Sequence, residues 1–204
     1  MEIFQIKTKP HGKERLNEFI QGGFIAIGWP GIGDLNSVPK EEVRQRLEKK
    51  YSYDNSRSLG NDLGNVWAFS HTMQDGDIVL FNGHQSTVYI VKVGPYKYAE
   101  EYDNDEGMAH QRPFKLLQVA EKANLNPKIQ ELLRNRSAVT KFKYPIEEAE
   151  IKALNTEYSL EKFSSGKVKE SAIEEALEIL YTALKSENKD HQLKAATELL
   201  RYEK

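Results

Sequence analysis

Apolar and polar side chains alternate along Glu2–Lys7, the two-residue period of a half-buried β-strand. His11-Gly12 breaks that run. From Lys13 to Gln21 the period lengthens, with Leu16, Phe19 and Ile20 at helical spacing, and Gly22-Gly23 ends the helix. Phe24–Gly28 is a compact apolar strand. Val38–Tyr51 predicts an amphipathic helix, with Pro39 near its start and Val43 and Leu47 four residues apart. Tyr53–Asn65, polar and glycine-containing, reads as a loop. Asn65–Met73 reads as a short helix or extended turn carrying Trp67 and Phe69.

An Asp75-Gly76-Asp77 turn then launches the strand Asp77–Phe81. Asn82-Gly83-His84-Gln85 is a hairpin signal, and Thr87–Val93 is the return strand. Gly94-Pro95 bends the chain, with Tyr96–Tyr98 continuing the sheet beyond the bend. His110–Val119 is strand-like but interrupted by Pro113. Asn126-Pro127 opens a helix to Arg134, and Ala138–Phe142 is a short strand or extension.

After Pro145 the character changes. Ile146–Leu154 is helical and acidic, and Asn155–Lys169, with Ser164-Ser165-Gly166, reads as a linker. In Ser171–Lys185, Ile173, Ala176, Leu177, Leu180, Tyr181 and Leu184 share one helical face, and Ser171 with Glu174 fits a capping box. His191–Tyr202 repeats the pattern. The expected organisation is a barrel-forming domain over residues 1–145 and a helical C-terminal extension over 146–204, ending in a helical hairpin.

Composition narrows the function classes. The 204 residues carry 39% hydrophobic and 29% charged side chains and a formal net charge of -2. That charge argues against coating nucleic acid through bulk electrostatics, while leaving room for a local basic groove. Cysteine is absent, which excludes disulfides and thiolate metal sites. No run reaches the length of a membrane span, and no signal peptide is visible, so a cytoplasmic protein is expected.

The five histidines have no metal-ligand spacing, and no metal or cofactor is expected. Asp103, Asp105 and Glu106 could hold a cation or form a solvated acidic loop. Gly28-Trp29-Pro30-Gly31-Ile32-Gly33 lacks the Lys-Ser/Thr of a P-loop and the order of a Rossmann turn. There is no Gly-x-Ser-x-Gly elbow, and no catalytic residue is assigned. The aromatics carry more. Trp29, Trp67, Phe69, Tyr96 and Tyr98 fall at strand ends or in loops beside Gly and Pro, where binding residues concentrate. Such rings either fill a core or wall a pocket in which a flipped base is sandwiched. His110 and Arg112 either contact a ligand or brace the barrel as a buried pair.

The order of these features resembles the PUA-like superfamily, specifically its EVE-like branch. The resemblance rests on Ile27-Gly28-Trp29, Trp67-Ala68-Phe69, Met73-Gln74-Asp75-Gly76-Asp77-Ile78-Val79, Val93-Gly94-Pro95-Tyr96-Lys97-Tyr98 and His110-Gln111-Arg112-Pro113, and covers roughly residues 1–145. It implies an α+β fold: a small bent PUA-like β-barrel with rim helices, here followed by the C-terminal helical hairpin. It also implies a non-enzymatic reader of modified nucleobases in DNA or RNA, of the type found in modification-dependent restriction systems. The ligand-binding candidates are Trp29, Trp67, Phe69, Tyr96, Tyr98, His110 and Arg112. One alternative is a protein-interaction or inhibitor module of a prokaryotic, phage or defence locus, with residues 171–204 as the contact or self-association surface. Another is a small-nucleotide binder using the same pocket.

Overall fold

The computed structural model describes residues 1–151, together with Leu184 and Gln192, both of which are helical. The chain divides into two compact units, Met1–Ser159 and Leu160–Lys204, and the sheet lies in the first. The expected linker, the two C-terminal helices and the hairpin they would make lie outside the described residues.

The fold is α+β, built on a curled half-barrel sheet. Its strands are β1 (Ile3–Ile6), β2 (Phe24–Ile27), β3 (Ile78–Asn82), β4 (Thr87–Val93), β5 (Lys97–Tyr98), β6 (His110–Glu121) and β7 (Val139–Lys141). The order across the sheet is β2-β6-β4-β3-β1-β7, with β5 pairing β6 off this path. The helices are α1 (Leu16–Gly22), α2 (Lys40–Lys50), α3 (Ser56–Trp67) and α4 (Pro127–Leu133). All pairings are antiparallel except β1 with β3, which run parallel with Ile3 opposite Ile78.

Both faces of the sheet are covered, which is why Ile78–Phe81 is apolar at every position instead of alternating. Val79 and Phe81 point into a core shared with Phe4, Ile6, Phe19, Val43, Leu47, Leu59 and Leu63. Ile78 and Leu80 point the other way, into a smaller core with Ile3, Ile129, Leu132, Phe142 and Ala149. Helices α1, α2 and α3 therefore cover one face. Helix α4 and the 3-10 turn Ile146–Ala149 cover the other.

Two sequence expectations need correction. Tyr53–Asn65, read as a loop, is mostly α3. Leu59, Leu63 and Val66 repeat at four and three residues and are buried, while Gly60 and Gly64 fall on the exposed side with open space around them. Asn55 caps the helix, its side chain accepting from the amides of Arg57 and Ser58. The glycines hid an amphipathic stripe that burial makes worthwhile. In α1 the buried face is Leu16 and Phe19 alone, because Ile20 is 40% exposed.

Pro113 does not end β6. It sits where the strand changes neighbours: His110–Pro113 pairs with β2 and Phe114–Glu121 with β4. A residue without an amide proton is tolerated at such a hand-over, and its carbonyl accepts from Gly94 N at 2.7 Å. In the β3–β4 hairpin the left-handed residues are Gln85 and Ser86. Gly83 serves a different need, since a Cβ there would stand 2.4 Å from Thr87 Oγ1 and 2.6 Å from the Tyr89 ring.

The Asp-Gly-Asp turn is fixed by Asp77, which is 3% exposed. Its carboxylate accepts from Glu2 N at 2.7 Å and from Gln74 N at 2.8 Å, fastening the start of β1 to the turn that precedes β3.

Candidate functional site

A cleft of about 310 Å³ opens where β1 and β2 end. Lys7, Lys9, His11, Trp29, Tyr51 and Asp62 contribute its chemistry, and Ala26, Ile27, Gly28 and Ala138 are among its small or apolar lining. Two backbone segments shape it: the strap Lys9–Gly12 and the turn Gly28–Gly31.

The strap is pressed against the turn. A Cβ at Gly28 would stand 2.6 Å from His11 N, so only glycine lets the two backbones meet. Pro10 is buried, and His11 takes a left-handed φ of 50°. Lys13 Nζ donates to the Asp105 carbonyl at 2.6 Å, and Arg15 pairs with the Glu106 carboxylate. The acidic loop after β5 is therefore bound to the strap's C-terminal side. Asp105 and Glu106 nevertheless remain exposed, as a solvated acidic loop would be.

Trp29 follows β2 with φ 67°, a left-handed conformation that costs a bulky side chain roughly 1–2 kcal/mol. Three hydrogen bonds hold this turn, and two more brace the Asp62 and Asp103 carboxylates. Trp29 Nε1 donates to Asp62 Oδ2 at 2.8 Å, and Tyr53 Oη donates to the same oxygen at 3.2 Å. Tyr51 Oη donates to the Pro30 carbonyl at 2.7 Å. Asp103 Oδ1 accepts from Gly31 N at 2.5 Å, while its Oδ2 accepts from Tyr98 Oη at 2.5 Å. Burial, then the charges of Asp103 and Asp62, push the Tyr51 hydroxyl up to about 12, so it stays a donor at neutral pH.

Beneath the turn lies His110, fully buried. Tyr96 Oη is 2.8 Å from its Nδ1 and also accepts from Leu35 N at 3.3 Å, while the buried Nε2 of the imidazole has no hydrogen bond to a described residue. Burial lowers the His110 pKa to about 4, against weaker opposing pulls from Asp103, the Trp29 backbone and Asp34. The ring is neutral at physiological pH. Its contacts to Tyr96 and Tyr98, with centroids 6.1 and 5.9 Å away, make a small aromatic platform.

The structure thus gathers Trp29, Tyr96, Tyr98 and His110 in one neighbourhood, with Trp29 alone of them lining the cleft. Trp67, Phe69 and Arg112 are placed elsewhere. Trp67 ends α3 and stacks on His71, with centroids 3.8 Å apart and planes 6° from parallel. Phe69 is wholly buried in the larger core. Arg112 is 3% exposed. Its guanidinium donates to the carbonyls of Phe69 at 2.9 Å, Gly94 at 2.8 Å, Ser70 at 3.3 Å and Met73 at 2.6 Å. It clamps the π-helical turn Ala68–Thr72 to the bend after β4. Burial lowers its pKa to about 10, partly offset by Asp77 and Asp75, so it remains a cation.

Sequence reasoning missed Lys7, Lys9, His11, Tyr51 and Asp62. Asp62 was legible in principle, lying between Leu59 and Leu63 on a helix that the glycines obscured. The lysines had no signal, because they reach the cleft only once β1 has paired. Lys7 is half-buried, and burial followed by repulsion from Lys122 lowers its pKa.

Among the described residues, no group of three or more His, Asp or Glu side chains is placed to hold a metal ion. Among them, too, no helix is long and apolar enough to cross a membrane. No curated protein and no solved structure matches the chain. A family model does match over residues 4–143, which span the whole half-barrel from β1 past β7, and the chain belongs to that family, the domain of unknown function DUF8426.

Proposed function

We propose that the half-barrel is a PUA-like, EVE-type scaffold and that the chain is a binding module reading a modified nucleobase in DNA or RNA. The observation that carries this reading is the cleft at Trp29. It combines a half-buried indole, a second aromatic at Tyr51, a carboxylate at Asp62 and cations at Lys7 and Lys9. Its volume of about 310 Å³ suits one small planar group. Stacking of a base on an indole contributes roughly 1–3 kcal/mol and works for any base, so discrimination must come from polar groups at the ring edge. Asp62 is the acceptor suited to an exocyclic amino group. Its hydrogen bond to Trp29 couples the stacking ring to the reading group.

Tryptophan fluorescence titrations with short oligonucleotides carrying 5-methylcytosine or N6-methyladenine, each against its unmodified counterpart, test the reading. Saturable quenching with preference for one modified strand is expected. No quenching by any strand sinks it. Recovery of chemically altered oligonucleotide after prolonged incubation would replace the binding module with an enzyme.

A further inference from the structure

The cleft carries a charge that its own fold leaves unanswered. Lys7 is half-buried and lines the cleft, and its ammonium has no hydrogen bond or ion pair among the described residues. Its electrostatic neighbour is another cation, Lys122. Lys9, also in the lining, has a single long contact of 3.8 Å to Glu14, with both side chains largely exposed. A pair of that kind contributes little. The His11 side chain, also in the lining and packed over Gly107, is exposed and has no hydrogen bond or ion pair among the described residues. The cleft's carboxylate makes no ion pair with these cations among the described residues; the two hydrogen bonds Asp62 accepts, from Trp29 and Tyr53, both fall on Oδ2.

Withdrawing a cation even partly from water without a partner is unfavourable, and an anion bound in the cleft would offset that cost. The backbone bearing these side chains is also fixed. Lys7 N donates to the Ala138 carbonyl at 3.0 Å, and Gly28 seats the strap against the turn. The cations are thus presented from a rigid support, as ligand-positioning groups are.

We infer that Lys7, Lys9 and His11 form a phosphate subsite in the Trp29 cleft, so that the ligand is a nucleotide whose phosphate meets this strap while its base meets Trp29. The inference rests on the nucleobase reading above and adds what that reading leaves open: the phosphate is recognised together with the base. A mononucleotide and a nucleotide within a strand share this chemistry.

Calorimetric titration of the full chain separates the cases. The ligands are 5-methyl-2′-deoxycytidine and N6-methyl-2′-deoxyadenosine, their 5′-monophosphates, trinucleotides with the same base in the centre, and inorganic phosphate. The better monophosphate is expected to bind roughly tenfold or more tightly than its nucleoside, the gain of one charge-assisted contact. Lys7→Ala and Lys9→Ala should erase that gain and leave nucleoside affinity unchanged. A trinucleotide exceeding the monophosphate identifies a strand as the source, and the reverse identifies a free nucleotide. On the trinucleotide, Lys7→Ala should also reduce the slope of log K against log salt by about 0.7.

Equal affinity for nucleoside and monophosphate overturns the phosphate subsite and leaves the nucleobase reading intact. If no base binds, the nucleobase reading falls, and inorganic phosphate decides the subsite alone. Saturation that Lys7→Ala abolishes supports it, and absence of saturation overturns it. Thermal unfolding of Lys7→Ala at or above the wild-type midpoint confirms that lost binding is not lost folding.

Discussion

Trp29 and Trp67 are both half-buried and both stand at the end of an element, yet their surroundings differ in kind. Around Trp67 the contacts are mostly closed, although the buried Nε2 of His71 has no hydrogen bond to a described residue. Its ring lies flat on His71, Phe69 next to it is core, and Arg112 fastens the following turn through carbonyls alone. Around Trp29 the backbone is left-handed, a cleft stands open and Lys7 has no ion pair among the described residues. The first region spends the donors of Arg112 on its own carbonyls and leaves only the His71 Nε2 unanswered among its described groups. The second holds unfavourable features together, and such features persist where a ligand completes the arrangement.

The largest expected effect tests the closed side. Arg112→Leu leaves the four carbonyls it served without donors and should cost about 3 kcal/mol or more of stability. The check is a lowered urea midpoint with an unchanged slope. A shift of under about 1 kcal/mol would mean the clamp is dispensable and the contrast between regions is overdrawn.

Next comes acid. His110 has a pKa near 4 in the fold against about 6.5 when unfolded. Between those values the unfolded chain binds the extra proton, so this contribution is fully present above pH 6.5 and is lost as pH falls toward 4. The loss is of the order of 3 kcal/mol, and His110→Gln should flatten that part of the stability–pH curve.

Trp29→Gly probes the open side. Loss of the ring's packing and of its hydrogen bond to Asp62 outweighs relief of the left-handed strain, so stability should fall by roughly 1–2 kcal/mol. Affinity for the preferred oligonucleotide should fall roughly tenfold or more. The smallest effect sharpens the pair. Trp67→Phe should leave ligand-induced quenching in place, whereas Trp29→Phe should remove the signal. Quenching that follows Trp67 would move the site to the other region.

Much of the fold was legible because it rests on local rules. The strand β1, the Asp-Gly-Asp turn and the Asn126-Pro127 start of α4 are each written within a few neighbouring residues, although β1 is buried at all four positions instead of alternating, Gln5 included. Helix α3 was not, since Gly60 and Gly64 lower its helix propensity while Leu59, Leu63 and Val66 form it by burial. Trp29 was legible as a conspicuous aromatic between glycines. Arg112 was recognisable as a candidate, but only packing could show that its donors are consumed by carbonyls. Lys7 and Asp62 stand 55 positions apart in sequence and share a cleft through sheet pairing and helix docking, which single-sequence patterns do not encode.

The position of β1 has a kinetic consequence. It lies between β3, which it meets in parallel at Ile78, and β7, which it meets at Val139. During synthesis it therefore waits for both partners, and its apolar residues stay unpaired until most of the family domain has been made. Such distant pairings close large loops before any contact offsets their entropy, so they form slowly. The cleft inherits this order of events. Its lysines arrive with β1, and its tryptophan arrives with β2 at the opposite end of the strand order. Ligand binding is consequently a late reporter of folding: a chain that quenches on titration has already completed its longest-range pairing.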